Sequence, residues 1–166
     1  MSVLIVVESM FGNSLAVAEA IAEGIRAAGV PVRVSKVADT PTVVDPEVSL
    51  LLVGGPTHAF SMTRRNTRAD AIRQGATEGQ EVTGIREWID RADPRPELPV
   101  VTFDTRVKVK LVPGSAAKSA ASSLQHHGFA RAHRGETFFV EGTPGPLASG
   151  ESDRARAWGE ELASHA

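Results

Sequence analysis

The sequence of 166 residues contains no cysteine and no tyrosine, and aromatic residues make up only 5% of it. Without cysteine there is no thiol nucleophile, no disulfide framework, and no thiolate ligand for zinc or an iron–sulfur cluster. Long apolar runs are also missing, because the first one, residues 3–7, is far too short to span a bilayer. Any redox role therefore needs a bound cofactor, and no membrane span is expected.

The composition is otherwise that of an ordinary globular protein, with 42% hydrophobic and 23% charged residues. The length predicts a single domain over residues 1–166 with a core of normal size. A formal net charge of −2 argues against a nucleic-acid partner. No basic residues precede the first apolar run, so we expect no targeting segment and a cytoplasmic location.

Short apolar runs that end at turn residues predict buried strands of a parallel sheet. They are residues 3–7, 50–53, 99–103 and 137–140. Segment 30–37 instead alternates Val30, Val32 and Val34 with polar residues and contains a proline, which predicts an edge strand.

Helical spacing of apolar residues predicts four helices between and after these strands. The first covers residues 15–25 and stops before Gly29, and the second surrounds residues 85–89 with Thr83 as its cap. The third covers residues 116–124 and ends before Gly128, and the last follows Gly150. Trp88 and Trp158 fall within helical patterns and are expected to pack in the core.

Alternation of strands and helices predicts an α/β fold, a three-layer doubly wound five-stranded parallel sheet in the order 2-1-3-4-5. In such a sheet ligands bind outside the carboxyl ends of the strands, where the strand order reverses. That point lies between strands one and three. The loops expected to form a site are therefore residues 8–14, 54–65 and 104–110.

Residues 8–14, the first loop, run directly into the first helix. The free N–H groups of a helix N-terminus and the helix dipole attract anions. Ser9, Asn13 and Ser14 can add polar side chains, and Gly12 allows close approach of the backbone. The alternative is that Asn13 or Ser14 simply caps the helix.

The sequence ESMFGNS after a buried strand resembles the phosphate loop of the flavodoxin-like family, in which Ser/Thr-x-Thr-Gly-Asn-Thr wraps the phosphate of FMN. The segments LLLVGGPTHAF and VVTFDTR extend the resemblance to most of the chain. The resemblance implies FMN as the cofactor. The implied cofactor-binding residues are Ser9, Met10, Phe11, Gly12, Asn13, Ser14, Pro56, Thr57, His58, Ala59, Phe60, Asp104, Thr105 and Arg106.

The same resemblance assigns roles within this set. Phe11 stands where the family usually has a hydroxyl residue, and it would act through its backbone N–H. His58 and Phe60 would supply the rings beside the isoalloxazine, and no glycine follows them for a backbone flip. Arg106 would stack on the flavin or lie near its N1, while Asp104 would receive a ribityl hydroxyl or cap a turn.

Basic residues are concentrated at the expected ligand edge, although the whole chain is slightly acidic. Residues 62–73 and residues 104–118 each contain four basic side chains and one acidic side chain. We define the basic rim as Arg64, Arg65, Arg68, Arg106, Lys108 and Lys110. It predicts an acidic redox partner protein or an anionic small molecule as the partner. The alternative is a solvated surface that aids solubility.

Other site classes lack their motifs. G-x-G-x-x-G is absent from the first turn, no Walker lysine follows a glycine-rich loop, and G-x-S-x-G does not occur. Glu8 stands alone after the first strand, whereas a receiver domain needs paired acids there. The adjacent His126 and His127 would diverge on a helix, so no metal site is predicted.

Three hypotheses for the function remain. The first is an FMN-binding, flavodoxin-like electron-transfer protein, in which the flavin supplies the redox chemistry. The second is an FMN-dependent NAD(P)H reductase of a small substrate. The third is a flavodoxin-like binding module that has lost FMN.

Overall fold

A computed structural model describes residues 1–108 and 113–166. Its five parallel strands lie in the order β2-β1-β3-β4-β5, which confirms the predicted order and places β2 at an edge. The strands are β1 (Ser2–Val7), β2 (Val32–Lys36), β3 (Val48–Pro56), β4 (Val100–Val107) and β5 (Ala132–Val140).

Within residues 1–108 and 113–166, five α-helices connect or follow these strands, and a short 3₁₀ helix at Val37–Asp39 follows β2. Gly29, Gly128 and Gly150 have positive φ and lie at helix ends where the sequence predicts stops or starts. The helices are α1 (Asn13–Ala27), α2 (Arg65–Arg73), α3 (Ile85–Arg91), α4 (Ala116–His126) and α5 (Glu151–Ala163).

The sheet is covered on both faces, as the doubly wound prediction requires. Val3 and Ile5 pack with α1 and α5 in one apolar cluster, while Leu4 and Val6 pack with α3 and α4 in the other. Successive residues of a strand point to opposite faces, so a continuous apolar run serves both layers. The three-layer arrangement is thereby confirmed. Among the described residues, no helix is long and apolar enough to cross a membrane.

Both tryptophans lie where the helical patterns predict. Trp88 is buried, and its indole N–H donates to the Pro41 carbonyl over 3.1 Å. Trp158 packs its ring against Phe103 and Phe138, with centroid distances of 6.4 and 5.9 Å. Trp88 is therefore a core residue, whereas Trp158 is partly buried and packs against the core.

The prediction that residues 137–140 are buried on both faces is wrong. β5 forms the second edge of the sheet and has a neighbouring strand, β4, on one side. In the described part of the chain, the other side of β5 is not covered by a strand of this sheet. Phe138 is fully buried, but Phe139 is partly exposed and the Lys108 ammonium lies 5.7 Å from its ring centroid. An apolar run alone cannot distinguish a central strand from an edge strand with one open face.

Helix α2 was not predicted, because it has no apolar stripe. Its buried residues are Arg68 and Ala71. The cap predicted for α3 is also wrong. Gly84, not Thr83, precedes its first residue, and the Gly84 N–H donates to the Glu87 carboxylate over 2.8 Å.

β3 and β4 continue through segments that were expected to be loops. Gly54 and Gly55 belong to β3, and Asp104, Thr105 and Arg106 belong to β4. Gly54 pairs with Phe103, and a methyl group on Gly54 would overlap the Phe103 ring. The glycine therefore makes room for a core aromatic residue rather than for a turn.

Helices α1 and α5 touch through their backbones at two glycines. A methyl group on Gly24 would overlap the Arg156 carbonyl oxygen, and one on Gly159 would overlap the Ile21 carbonyl oxygen. Interaxial distances depend on the side chains at the contact. Glycine on both sides therefore lets this pair approach closely and fixes α1 against the sheet.

Candidate functional site

The first loop lies at the carboxyl end of β1, directly before α1. Gly12 is the N-cap residue and has φ +98°, in the left-handed region that favours glycine. Within the described chain no side chain caps α1, so capping by Asn13 or Ser14 does not occur. The first N–H groups of a helix have no intrahelical partner, and here they face the loop.

Side chains within the first loop tie it to itself and to β4. The Ser9 hydroxyl accepts the Gly12 N–H over 3.1 Å. The hydroxyls of Ser14 and Thr105 lie 2.7 Å apart and are both buried. Position 105 therefore holds the start of α1 against the sheet.

Most of the predicted site residues surround one cavity of about 70 Å³. Val107, Val140 and Thr143 line it as well and were not predicted. The predicted residues that line it are Ser9, Met10, Phe11, Asn13, Ser14, Pro56, Thr57, His58, Thr105 and Arg106. Gly12, Ala59, Phe60 and Asp104 do not.

Thr143 reaches the cavity because the segment after β5 folds back over the sheet edge. Val140 forms an isolated antiparallel bridge with Leu147. A methyl group on Gly145 would lie within 3.0 Å of the Asn13 amide carbon, so this segment packs on the first loop. In the sequence, the only indirect sign of this segment's role is the set of glycines and prolines that follow the last strand.

A wider, open depression of about 310 Å³ adjoins the cavity and shares Thr57, His58 and Thr143 with it. Ala59, Ala71 and Gln74 complete part of its wall. Pockets that enclose a drug-sized ligand measure roughly 300–1,000 Å³. The cavity therefore suits a small polar group, and a larger planar group would extend into the depression.

A tight hairpin turn at residues 58–61 forms one side of this depression. His58 and Ser61 exchange two backbone hydrogen bonds of 3.0 and 3.2 Å. Ala59 (φ 49°) and Phe60 (φ 65°) both adopt the left-handed conformation, which costs a non-glycine residue roughly 1–2 kcal/mol. Phe60 is 59% exposed. The turn therefore presents an aromatic side chain to solvent beside the cavity.

Arg86 and Ser119 hold the hairpin turn in place. The Arg86 guanidinium donates to the Met62 carbonyl over 3.0 Å and to the Thr63 carbonyl over 3.1 Å. The Ser119 hydroxyl accepts the Met62 N–H over 3.1 Å. Neither residue was predicted, because each lies on a helix far from the turn in sequence.

Asp104 lies behind the cavity and is fully buried. One carboxylate oxygen accepts the Ala117 N–H over 2.8 Å and the Thr57 hydroxyl over 3.1 Å. The other oxygen has no hydrogen-bond partner among the described residues. Asp104 lies within β4 rather than in a turn, and its carboxylate binds the first turn of α4, whose N-cap residue is Ser115.

A cluster of the buried residues Glu8, Thr63 and Arg68 and the partly exposed Glu87 lies on the other side of the first loop. The Glu8 carboxylate accepts the Thr63 hydroxyl over 2.6 Å and the Ile85 N–H over 2.9 Å. Burial raises the pKa of Glu8, although these hydrogen bonds and the Arg68 charge act in the opposite direction. Glu8 thus joins β1 to the start of α3.

Placing Arg68 in the basic rim is wrong. Its side chain is fully buried and pairs with Glu87 over 2.8 Å. It also donates to the Glu81 carbonyl over 2.7 Å and to the Thr63 hydroxyl over 2.8 Å. The buried acidic and carbonyl oxygens draw this arginine inward, and no sequence window reveals such distant acceptors.

The other members of the basic rim differ in how they are held. Arg64 and Lys108 are exposed, and Arg65 forms a surface ion pair with Glu81 over 2.9 Å. Arg106 is partly exposed and donates to the Gly114 carbonyl over 3.1 Å. Lys110 lies outside the described residues.

His58 is the titratable side chain that lines both the cavity and the depression. Burial, and secondarily the charge of Arg68, lowers the pKa of its imidazole. The ring is therefore neutral at neutral pH and adds no charge to the basic rim.

Comparison with solved structures finds flavodoxins with a similar backbone. A flavodoxin from the domain Archaea superimposes with a TM-score of 0.66 at 18% identity, covering 99% of this chain and 98% of that chain. Oxidised flavodoxin 1 from Bacillus cereus gives 0.67 at 16%, covering 100% and 99%. Two-electron reduced Megasphaera elsdenii flavodoxin gives 0.59 at 21%, covering 98% of each chain. No family model and no curated protein matches the sequence.

These structures agree with the strand order and cover almost the whole chain, so the expectation drawn from the first loop holds for the architecture. At this level of identity the likeness concerns the backbone. The protein has the flavodoxin-like fold.

Proposed function

We propose that the protein binds FMN at the carboxyl edge of the sheet and transfers electrons between partner proteins. The observation that carries the proposal is the first loop. It joins β1 to α1 at the point where the strand order reverses, with Gly12 in the left-handed conformation and no side-chain cap on α1. Ligands of doubly wound sheets bind at this position.

The residues present fit the phosphate end of FMN. Backbone N–H groups at a helix N-terminus, with the helix dipole behind them, favour an anion. Ser9 and Asn13 line the same cavity and would add polar side chains. Phe11 supplies no hydroxyl there, and one neutral hydrogen bond is worth about 0.5–1.5 kcal/mol net. We therefore expect weaker binding than a hydroxyl residue would give.

The ring end would rest on fewer aromatic groups. When bound, FMN supplies the electron-accepting and electron-donating chemistry. His58 would contact it as a neutral imidazole, and Phe60 is exposed at the hairpin turn beside the depression. Arg106 lines the cavity and would orient the ring with its planar guanidinium.

The partner proposed for this edge is an acidic protein surface or an anionic small molecule. Arg64, Arg65, Arg106 and Lys108 are the described members of the basic rim that are exposed or partly exposed. A group of like charges accelerates encounter with a partner of the opposite charge, and salt weakens the effect. A cytoplasmic location remains part of this proposal.

A second candidate function is an FMN-dependent NAD(P)H reductase of a small substrate. The open depression of about 310 Å³ favours it, because a ring that extends into it would keep its outer face open to a small substrate. Anaerobic addition of NAD(P)H to the FMN-loaded protein distinguishes the two. Direct bleaching of the oxidised flavin band supports the reductase, whereas bleaching only through an added reductase protein supports the carrier.

Binding itself is tested by titrating FMN fluorescence with the purified protein. Gly12→Val should weaken binding at least tenfold, because a β-branched residue is strongly disfavoured at φ +98° and the turn must change. Gly29→Val is the matched control, since Gly29 has φ +81° at the other end of α1 with open space around it. It should lower stability without lowering affinity.

Absence of any fluorescence change with the wild-type protein would refute FMN binding. The binding-module hypothesis would then be the one that survives. Equal affinity of the wild type and the Gly12→Val variant would instead remove the first loop from the site.

A further inference from the structure

The loop at residues 74–84, between α2 and α3, packs directly on the first loop. The Glu78 N–H donates to the Met10 carbonyl over 3.1 Å. A methyl group on Gly79 would lie 2.7 Å from the Ser9 carbonyl oxygen, so no larger residue fits at that contact. Glu78 is therefore held at a fixed place beside the start of α1.

The Glu78 side chain extends along the first loop and ends in an ion pair. Its Cγ lies 3.7 Å from the position that a Cβ on Gly12 would occupy. Its carboxylate pairs with the Lys36 ammonium over 2.9 Å, and the two side chains are 38% and 45% exposed. Lys36 is the last residue of β2. The pair thus connects the edge strand to the corner where α1 begins.

This arrangement puts a carboxylate next to a loop that is otherwise suited to an anion. Glu78 alone would repel a phosphate group there, and Lys36 offsets that repulsion. Charges a few ångströms apart interact appreciably even through water, and partial exposure makes the interaction sensitive to salt.

We propose that the Lys36–Glu78 ion pair sets the affinity of the first loop for the phosphate group of its ligand. Lys36 acts as a positioning residue that neutralises Glu78, and Glu78 holds the phosphate affinity below what the loop and Lys36 would give without it. The inference rests on the proposed function, because it takes FMN as the ligand.

The test compares dissociation constants of FMN and riboflavin, which lacks the phosphate, for the wild type, Lys36→Met and Glu78→Gln. Lys36→Met should weaken FMN binding about threefold, and Glu78→Gln should strengthen it by a similar factor. Riboflavin binding should stay unchanged in both. The opposite shifts for FMN should shrink at high salt.

Two variants serve as matched controls. Glu81→Gln removes a carboxylate of the same loop that pairs with Arg65, and Arg33→Met removes a cation from β2 that lies further from the first loop. Both should leave FMN affinity unchanged. Equal shifts for FMN and riboflavin, or no shift in either variant, would overturn the inference while FMN binding stands. A wild type that binds neither ligand would overturn the proposed function and this inference together.

Discussion

Replacing Arg68 with methionine should destabilise the protein far more than any other loss of an arginine from α2. Methionine keeps most of the apolar volume but removes every polar group of the guanidinium. That guanidinium is fully buried, pairs with Glu87 over 2.8 Å, and donates to Thr63 and to the Glu81 carbonyl. Removing one partner of a fully buried ion pair costs about 3–5 kcal/mol. Because the Glu87 side chain is 25% exposed and can be partly hydrated, we expect a loss near the lower end of that range.

The stability lost in the Arg68→Met variant should depend on pH because of Glu8. Burial raises the pKa of Glu8, and the positive charge of Arg68 partly offsets this effect. Without Arg68 the offset is lost, so the pKa of Glu8 rises further. A carboxyl group with a raised folded-state pKa favours the folded protein when protonated. The Arg68→Met variant should therefore lose less stability at about pH 5 than at about pH 8.

Urea denaturation followed by circular dichroism measures both effects. Arg73→Met is the control on the same helix, where the arginine forms an exposed pair with Asp70. Exposed pairs contribute about 0–1 kcal/mol, so this change should be small. A loss below about 1 kcal/mol for Arg68→Met would refute the buried-cluster argument. An equal loss at both pH values would show that Glu8 is not involved.

Two further predictions concern stability. Because burial raises the folded-state pKa of Glu8, the wild type loses stability as the pH rises from about 4.5 through that pKa. Glu8→Gln should remove this loss, so its unfolding free energy relative to the wild type should rise with pH by at most about 1.4 kcal/mol per unit. Parallel pH profiles would contradict the assignment. Gly24→Ala should lower the unfolding free energy by about 1–3 kcal/mol, because its methyl group overlaps the Arg156 carbonyl. Replacing glycine by alanine at an exposed helical position usually stabilises a protein. A higher melting temperature for Gly24→Ala would therefore contradict the close contact between the two helices.

The fold follows from the sequence to the extent that apolar periodicity controls it. The runs at residues 3–7 and 50–53 predict central strands because both faces of those strands are buried, and the spacing in residues 15–25 predicts α1. Helix α2 could not be predicted in this way, because a buried arginine lies where an apolar stripe would be expected. Its stability comes from acceptors that only the folded chain brings together.

Part of the candidate site could likewise be predicted from the sequence and part could not. The first loop is contiguous, so its glycine and polar residues could be located from the sequence. Thr143 lines the cavity, Arg86 holds the hairpin turn beside it and Glu78 packs on the first loop, all from distant segments, so their contributions depend on how those segments fold back. Asp104 shows the opposite difficulty, because strand alternation turns its side chain toward α4 rather than into the cavity.

The close backbone contacts that α1 and α5 make at Gly24 and Gly159 have a consequence for the first loop. Gly24 lies about 18 Å along α1 from the first loop, by the rise of an α-helix. Since two backbones in contact allow neither helix to slide or tilt, α5 determines where the opposite end of α1 points. Helix α5 therefore helps to align the first loop from the other end of α1, and substitutions in α5 at this contact should alter the affinity of the ligand proposed for that loop.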